Sequence, residues 1–425
     1  MRTWGEMNGW NKTLGRTFSS LTPMLGSLLI SAASVASPPV TFGNQPAAQR
    51  YCLKDTVVWI YLPRETYYLK GNPWYGLTSN GAYACKREAD KAGFHVCDQW
   101  HRVIVLEEND SLFFNSDKHY TQGLRISYLR PELAKAPLSD AAFSLLGQIP
   151  SFFAPLPSDA GENKRQVSLF GGQSIFTPTN RYLVPPDPHD RPYAGWAYGG
   201  ASLMQETALP SEADGQPLGM LENAELDIGL VGPGAIGKKV QNDFHQLIGV
   251  PQWQGWSSQL QNEPGIVLSY ERLWRQRLLG DNTLGVDLVP QVGASVGNIF
   301  SYGEAGALLR IGRGLLADYG PVRVRPALSG TDYFDPNGLD DGIGVYYFAG
   351  VQGRAVGRNI FLEGNSFRPS PSVPKKTLVG DVQGGFALQL KVWLRLDVSV
   401  SLRSEEFRGQ RSPDDICIAA LAFTW

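Results

Sequence analysis

From about Val103 to the end of the chain, apolar and polar residues alternate with a period of two. Residues 393–403 place Leu394, Leu396, Val398, Val400 and Leu402 on one face against Arg395, Asp397, Ser399, Ser401 and Arg403 on the other. Residues 382–392 and 284–296 repeat the scheme, and the closing CIAALAFTW sets Ala419, Leu421, Phe423 and Trp425 in one row. Each run is about ten residues, the length that crosses a bilayer as a tilted strand. The runs fall near 103–110, 120–131, 166–178, 194–206, 222–232, 264–277, 284–299, 302–314, 343–357, 378–391, 393–407 and 414–425. The pattern predicts an all-β fold, a transmembrane antiparallel β-barrel of about twelve strands, an even number as bacterial single-chain barrels have.

One segment breaks this period. Between Pro233 and Gly249 the apolar residues Ile236, Val240, Phe244, Leu247 and Ile248 recur at helical spacing. The opposite stripe carries Lys238, Gln241, Asn242 and His245, and Gly249 followed by Pro251 marks the stop. A short helix is therefore expected in a connecting loop. A tight turn would close the same hairpin, so the helix is a candidate for function.

The N-terminus departs from the pattern differently. Lys12 and Arg16 precede an apolar run, Leu21 to Ala36, with small residues at its end, as in a secretory signal over 1–37. Residues 38–100 read as a separate N-terminal extension of unassigned role, punctuated by Pro and Gly, ahead of a barrel over 101–425. Its cysteines are Cys52, Cys85 and Cys97; a fourth, Cys417, falls in the last predicted strand. Four cysteines allow three pairings, and a short Cys85–Cys97 bridge is the expected one.

Composition agrees with a lipid-facing surface. Charged residues are 18% of the chain, below the roughly 25% of soluble proteins. The chain holds 47 Gly, 11 Trp, 17 Tyr and 19 Phe. A net charge of −2 gives no basic surface for nucleic acid, which is not an expected partner.

Few groups could carry chemistry. Of five histidines, only His245 falls on a predicted rigid element, with Gln241 and Asn242 one turn back. A neutral imidazole is the usual general base near pH 7. Asn109 and Asp110 end the first strand, and Thr121 begins the second, on the face that strict alternation shares with Gly123, Arg125 and Ser127. Hairpin neighbours can gather these three groups at one end of the wall. Their carboxylate and amide oxygens suit Ca²⁺, with Asn109 and Asp110 as metal ligands, and such an ion could stabilise an oxyanion. Residues 293–297, GASVG, match a nucleophile elbow by letters only, because Ser295 lies inside an alternating strand. Asp190 and Arg191 read as a buried pair inside the barrel, and Arg310, Arg313, Arg395 and Asp397 as residues filling its lumen.

Several long stretches resemble the lipid A 3′-O-deacylase family of Gram-negative outer membranes. They are ENDSLFFNSDKHYTQGLRISYL (108–129), GQSIFTPTN (172–180), DRPYAGW (190–196), VGPGAIGKKVQNDFHQLIG (231–249) and QGWSSQLQNEPGIVLSYERLWR (254–275). The resemblance implies a twelve-stranded barrel, a site between the barrel wall and a helix, and Ca²⁺-dependent removal of an ester-linked acyl chain from lipid A. It assigns catalytic roles to His245, Asn109, Asp110 and Thr121. The family's lysine after the third strand has Arg181 as its nearest basic counterpart, and a guanidinium is not equivalent to an ammonium. Arg181 and Gln241 are the expected substrate contacts.

The expectation is thus a monomeric outer-membrane ester hydrolase acting on lipopolysaccharide. Two other classes are distinguishable from it: a catalytically inactive structural or pore-forming barrel, and a binding protein that works through the N-terminal extension.

Overall fold

A computed structural model describes residues 38–70, 75–76, 80–96, 100–110, 118–148, 163–209, 218–281, 283–326, 331–339, 343–390 and 393–425. The expected signal segment 1–37 and Cys97 lie outside the described residues.

The N-terminal extension forms a small sheet of its own. Helix α1 (Gln45–Tyr51), capped by Asn44, leads into strands β1 (Val57–Tyr61), β2 (Thr66–Tyr68) and β3 (Gly81–Cys85). Helix α2 (Lys86–Lys91) and strand β4 (His95–Val96) complete a sheet of order β3-β1-β2-β4. Val58, Ile60, Tyr67, Ala84 and Ala89 form its core. Cys85 is bonded to Cys52, not to Cys97. Closeness along the chain suggested the shorter bridge, but strand register decides: Cys85 pairs with Val57, which starts the strand reached shortly after Cys52.

The rest of the chain closes into a barrel of twelve antiparallel strands. They are β5 (Arg102–Asn109), β6 (His119–Arg130), β7 (Asn163–Thr177), β8 (Ala194–Leu209), β9 (Leu218–Val231) and β10 (Glu263–Gly280). There follow β11 (Gly285–Gly297), β12 (Phe300–Arg313), β13 (Gly344–Asn359), β14 (Leu378–Leu390), β15 (Leu394–Arg403) and β16 (Asp414–Thr424). The β6–β7 connection carries α3 (Pro137–Gly147), the β9–β10 connection α4 (Gly237–Ile248), and the β13–β14 connection the single turn α5 (Ile360–Glu363). Strand β16 returns to β5, from Cys417 opposite Asn109 to Thr424 opposite Arg102. Cys417 is buried there.

Alternation separates the two faces as the sequence requires. Leu226, Ile228, Ile266, Leu268, Val296 and Leu402 are exposed on the outside, while Arg395, Asp397, Ser399, Ser401 and Arg403 are buried inside. Buried charge must find partners or cost several kcal/mol per ion. The described parts of the β12–β13 connection, 314–326 and 331–339, meet that demand by folding into the lumen as a plug. Arg323 binds Glu108 of β5 at 2.5 Å, Arg325 binds Glu225 of β9 at 3.1 Å, and Asp332 accepts from Ser168 of β7 at 2.6 Å. Asp318 pairs with Arg310 at 2.6 Å and with Arg395, which also binds Asp397 at 2.8 Å. Arg313 is half-buried and stands across the sheet from Val345, an exposed residue, at the end of its strand. At the opposite end Phe361 of α5 stacks on Phe176 at 4.1 Å and lies 5.4 Å from Phe300, an apolar lid over the charged interior.

Candidate active site

The rim that carries Asn109 also carries α4, since the β5–β6 and β9–β10 connections open at the same end of the barrel. Glu108 points inward to Arg323, so its neighbour Asn109 points outward. Asp110 follows, and its carboxylate accepts from the Lys118 backbone N–H.

Thr121 sits where strict alternation would not place it. Tyr120 pairs with Phe176 and Gln122 with Ile175, so one residue of β6 is extra. Such a bulge re-aims a side chain. Tyr120 enters the core beside Phe176, ring centroids 5.5 Å apart, while Thr121 shares a 2.7 Å hydrogen bond with Thr177. Thr177 alternates with inward Phe176 and faces outward. Thr121 therefore leaves the inward face of Gly123, Arg125 and Ser127 and joins Asn109 on the outer wall.

Helix α4 lies against that outer wall, over β7 and β8. Two glycines let it approach: a Cβ on Gly237 would stand 3.2 Å from the Gly195 Cα. Gln173 donates to the Ala235 carbonyl at 2.5 Å. Val240 packs into a buried cluster of Ile175, Tyr193, Trp253 and Trp256. Ile175 is two residues from Thr177 in the same outward row, so the helix rests beside the Thr121–Thr177 pair. Gly249, at φ +73°, ends the helix in the left-handed conformation that glycine adopts without strain.

His245 is on the buried stripe of α4 with Gly237 and Gln241. Its Nδ1 donates to the Pro251 carbonyl at 2.8 Å. A carbonyl only accepts, so this bond fixes the proton on Nδ1 and makes Nε2 the basic nitrogen. Arg181 reaches the same carbonyl at 3.4 Å and lies over the Trp253 ring at 5.2 Å. The expected substrate contact is thus at the imidazole's side. Gln241 is placed otherwise: it is buried, with its Oε1 accepting from Trp256 Nε1 at 3.1 Å.

Sequence reasoning passed over a second cluster on this rim. His119, the first residue of β6, has φ +61° and is buried. Its Nδ1 lies 2.7 Å from Asp414, and its Nε2 3.4 Å from Asp190 and 3.2 Å from the Thr179 hydroxyl. Asp190 also accepts backbone N–H bonds from Thr179 and Arg191, both at 2.7 Å. Burial alone would raise its carboxyl, but the bonds from His119, Thr179 and Arg191 outweigh that and hold it at about 2. The expected Asp190–Arg191 pair does not form. Arg191 turns to Glu406 at 2.8 Å, whose carboxyl, although buried, is held below its ordinary value by that guanidinium.

A barrel clad in apolar side chains, with a charged and plugged interior, defines an integral membrane protein that crosses the bilayer with strands. The chain belongs to the LpxR family, whose family model, outer membrane protein LpxR, matches residues 78–425, and it is a protein of the outer membrane. Among solved structures it is similar to LpxR from Salmonella typhimurium, with 20% identity and a TM-score of 0.57 over 76% of this chain and 99% of that one. The β-domain of the Bordetella autotransporter BrkA is more distant, with 10% identity and a TM-score of 0.38 over 77% and 98%. No curated protein matches the chain in sequence.

Proposed function

We propose that this protein is an outer-membrane lipid A deacylase, which hydrolyses an ester-linked acyl chain of lipid A at the 3′ position. Membership of the LpxR family supports the reaction class. The observation that carries the assignment is His245, held with its proton on Nδ1 at the outer wall, on the rim that also bears Asn109, Asp110 and Thr121. His245 Nε2 takes a proton from water as that water attacks the ester carbonyl. The carbon–oxygen bond then breaks, releasing the fatty acid and leaving a sugar hydroxyl that regains the proton. Arg181, beside the imidazole, is suited to the anionic phosphates of the substrate.

The donor chemistry at Asn109 and Asp110 fits a hard cation. Adjacent amide and carboxylate oxygens are the ligands Ca²⁺ takes. Among the described residues no group of three His, Cys, Asp or Glu could hold a metal ion, so Asn109 and Asp110 would hold it with neutral oxygens completing the site. Calcium there would place positive charge beside the ester oxygen that becomes negative.

Replacement of His245 by Ala is expected to lower deacylation about 10²–10⁴-fold, the usual worth of a general base. Mass spectrometry of lipid A from cells expressing either form, with Ca²⁺ or chelator added, is the test. Unchanged acyl loss in the variant would refute the assignment. A pore is the poorer reading, because the plug and the Phe361 lid fill the lumen.

A further inference from the structure

Apart from Val240, which packs on the wall, helix α4 and its N-cap expose their apolar residues. Ile236, Phe244, Leu247 and Ile248 are 55%, 48%, 82% and 53% exposed, while Gln241 and His245 are buried against the wall. At roughly 100° per residue, the apolar set and the wall-facing set are centred about a quarter-turn apart. The helix thus has three sides: a polar and small one on the barrel, an apolar flank, and a polar flank with Lys238, Asn242 and Gln246. A helix so divided lies in the plane of a membrane interface.

The apolar flank continues the lipid-facing belt of the barrel. Leu226 and Ile228 of β9 are exposed in one outward row, and Leu230 extends it. The Leu230 side chain comes so close to Gly234, at the helix approach, that a Cβ there would stand 2.4 Å from it. A second exposed apolar edge follows Arg181: Tyr182, Leu183 and Val184 are 58%, 43% and 57% exposed. This edge is tied to the segment after α4, where Gln254 N–H donates to the Arg181 carbonyl at 3.0 Å. Arg181 and His245 meet at the Pro251 carbonyl, which joins this edge to the helix.

We propose that the apolar flank of α4 and the Tyr182–Val184 edge dock into the acyl chains of the surrounding leaflet, so that the site opens sideways into the membrane. The occupant is membrane lipid because the flank is continuous with a surface that already faces lipid. The sideways opening rests on the deacylase reading; the docking does not.

The test uses the full chain in phospholipid vesicles. Leu247→p-benzoylphenylalanine, irradiated, is expected to gain a phospholipid-sized mass, and Gln246→p-benzoylphenylalanine on the polar flank is not. No lipid adduct at position 247, equal adducts at both positions, or a crosslink to a second copy of the chain would overturn the docking. In a parallel assay, Phe244→Asp with Leu247→Asp is expected to lower the ratio of vesicle-borne to soluble short-chain ester hydrolysis about tenfold. An unchanged ratio overturns the sideways opening. Failure of the deacylase reading is separately visible, as soluble ester hydrolysis that survives His245→Ala.

Discussion

The carbonyl of Pro251 determines which nitrogen of His245 is basic, and one inserted residue determines where Thr121 points. The first effect comes from backbone six residues beyond the histidine and leaves no mark in the alternation of side chains. The second is equally silent: a bulge adds one residue to one strand, and the flanking residues resume the same period. Strict alternation therefore put Thr121 on the inward face, and the bulge turns it outward. Thr177, its buried hydroxyl partner, drew no notice, because a threonine in a strand is ordinary. Thr177→Val is expected to cost about 1 kcal/mol of stability and to reduce fatty acid release, with Thr177→Ser restoring it. Thermal unfolding beside lipid A mass spectrometry checks both; equal activity in the valine variant would remove Thr177 from the site.

At the scale of elements, strand positions were legible because bilayer thickness and a two-residue period leave little freedom. Helix α4 was legible from its 3.6-residue period, but the direction of its apolar stripe was not. A soluble fold would turn that stripe inward; here the outer surface is itself lipid-facing. The 178–193 connection was opaque, since its anchors, His119 and Asp414, are distant in sequence. Its pH response follows from Asp190, whose folded carboxyl is held at about 2 against an ordinary 3.8. A lowered value means stabilisation that is complete above about pH 4 and lost as pH falls through 2. Amide exchange in 178–193 is expected to accelerate over that window in the native chain and to show no such step in Asp190→Asn. In the N-terminal sheet, replacing Cys52 and Cys85 by Ser is expected to cost roughly 2–4 kcal/mol, by freeing a closed loop. Proteolysis within 38–96 with an intact barrel on a gel would show it; an unchanged digestion pattern would count against the bridge as a staple.

Over the whole molecule, alternation foretold a polar interior but not what occupies it. The plug has neither helical nor strand period, and its meaning lies in charges that match residues on β5, β7, β9 and β12. The native chain is expected to give no steady conductance in planar bilayers, whereas deletion of 315–339 opens stepwise currents. Currents of equal size from both would show that the plug is no seal.

That filling also constrains how the protein is assembled. Arg323 of the plug grips Glu108 on the first barrel strand, and Asp318 grips Arg395 on the last but one. In an empty cylinder Glu108 and Arg395 would stand in water, and the plug takes their place in it with counter-charges already matched, so that no ion is left buried without a partner. The freight thus holds counter-charges on strands from both sides of the seam where β16 meets β5, and loading it ties that join together.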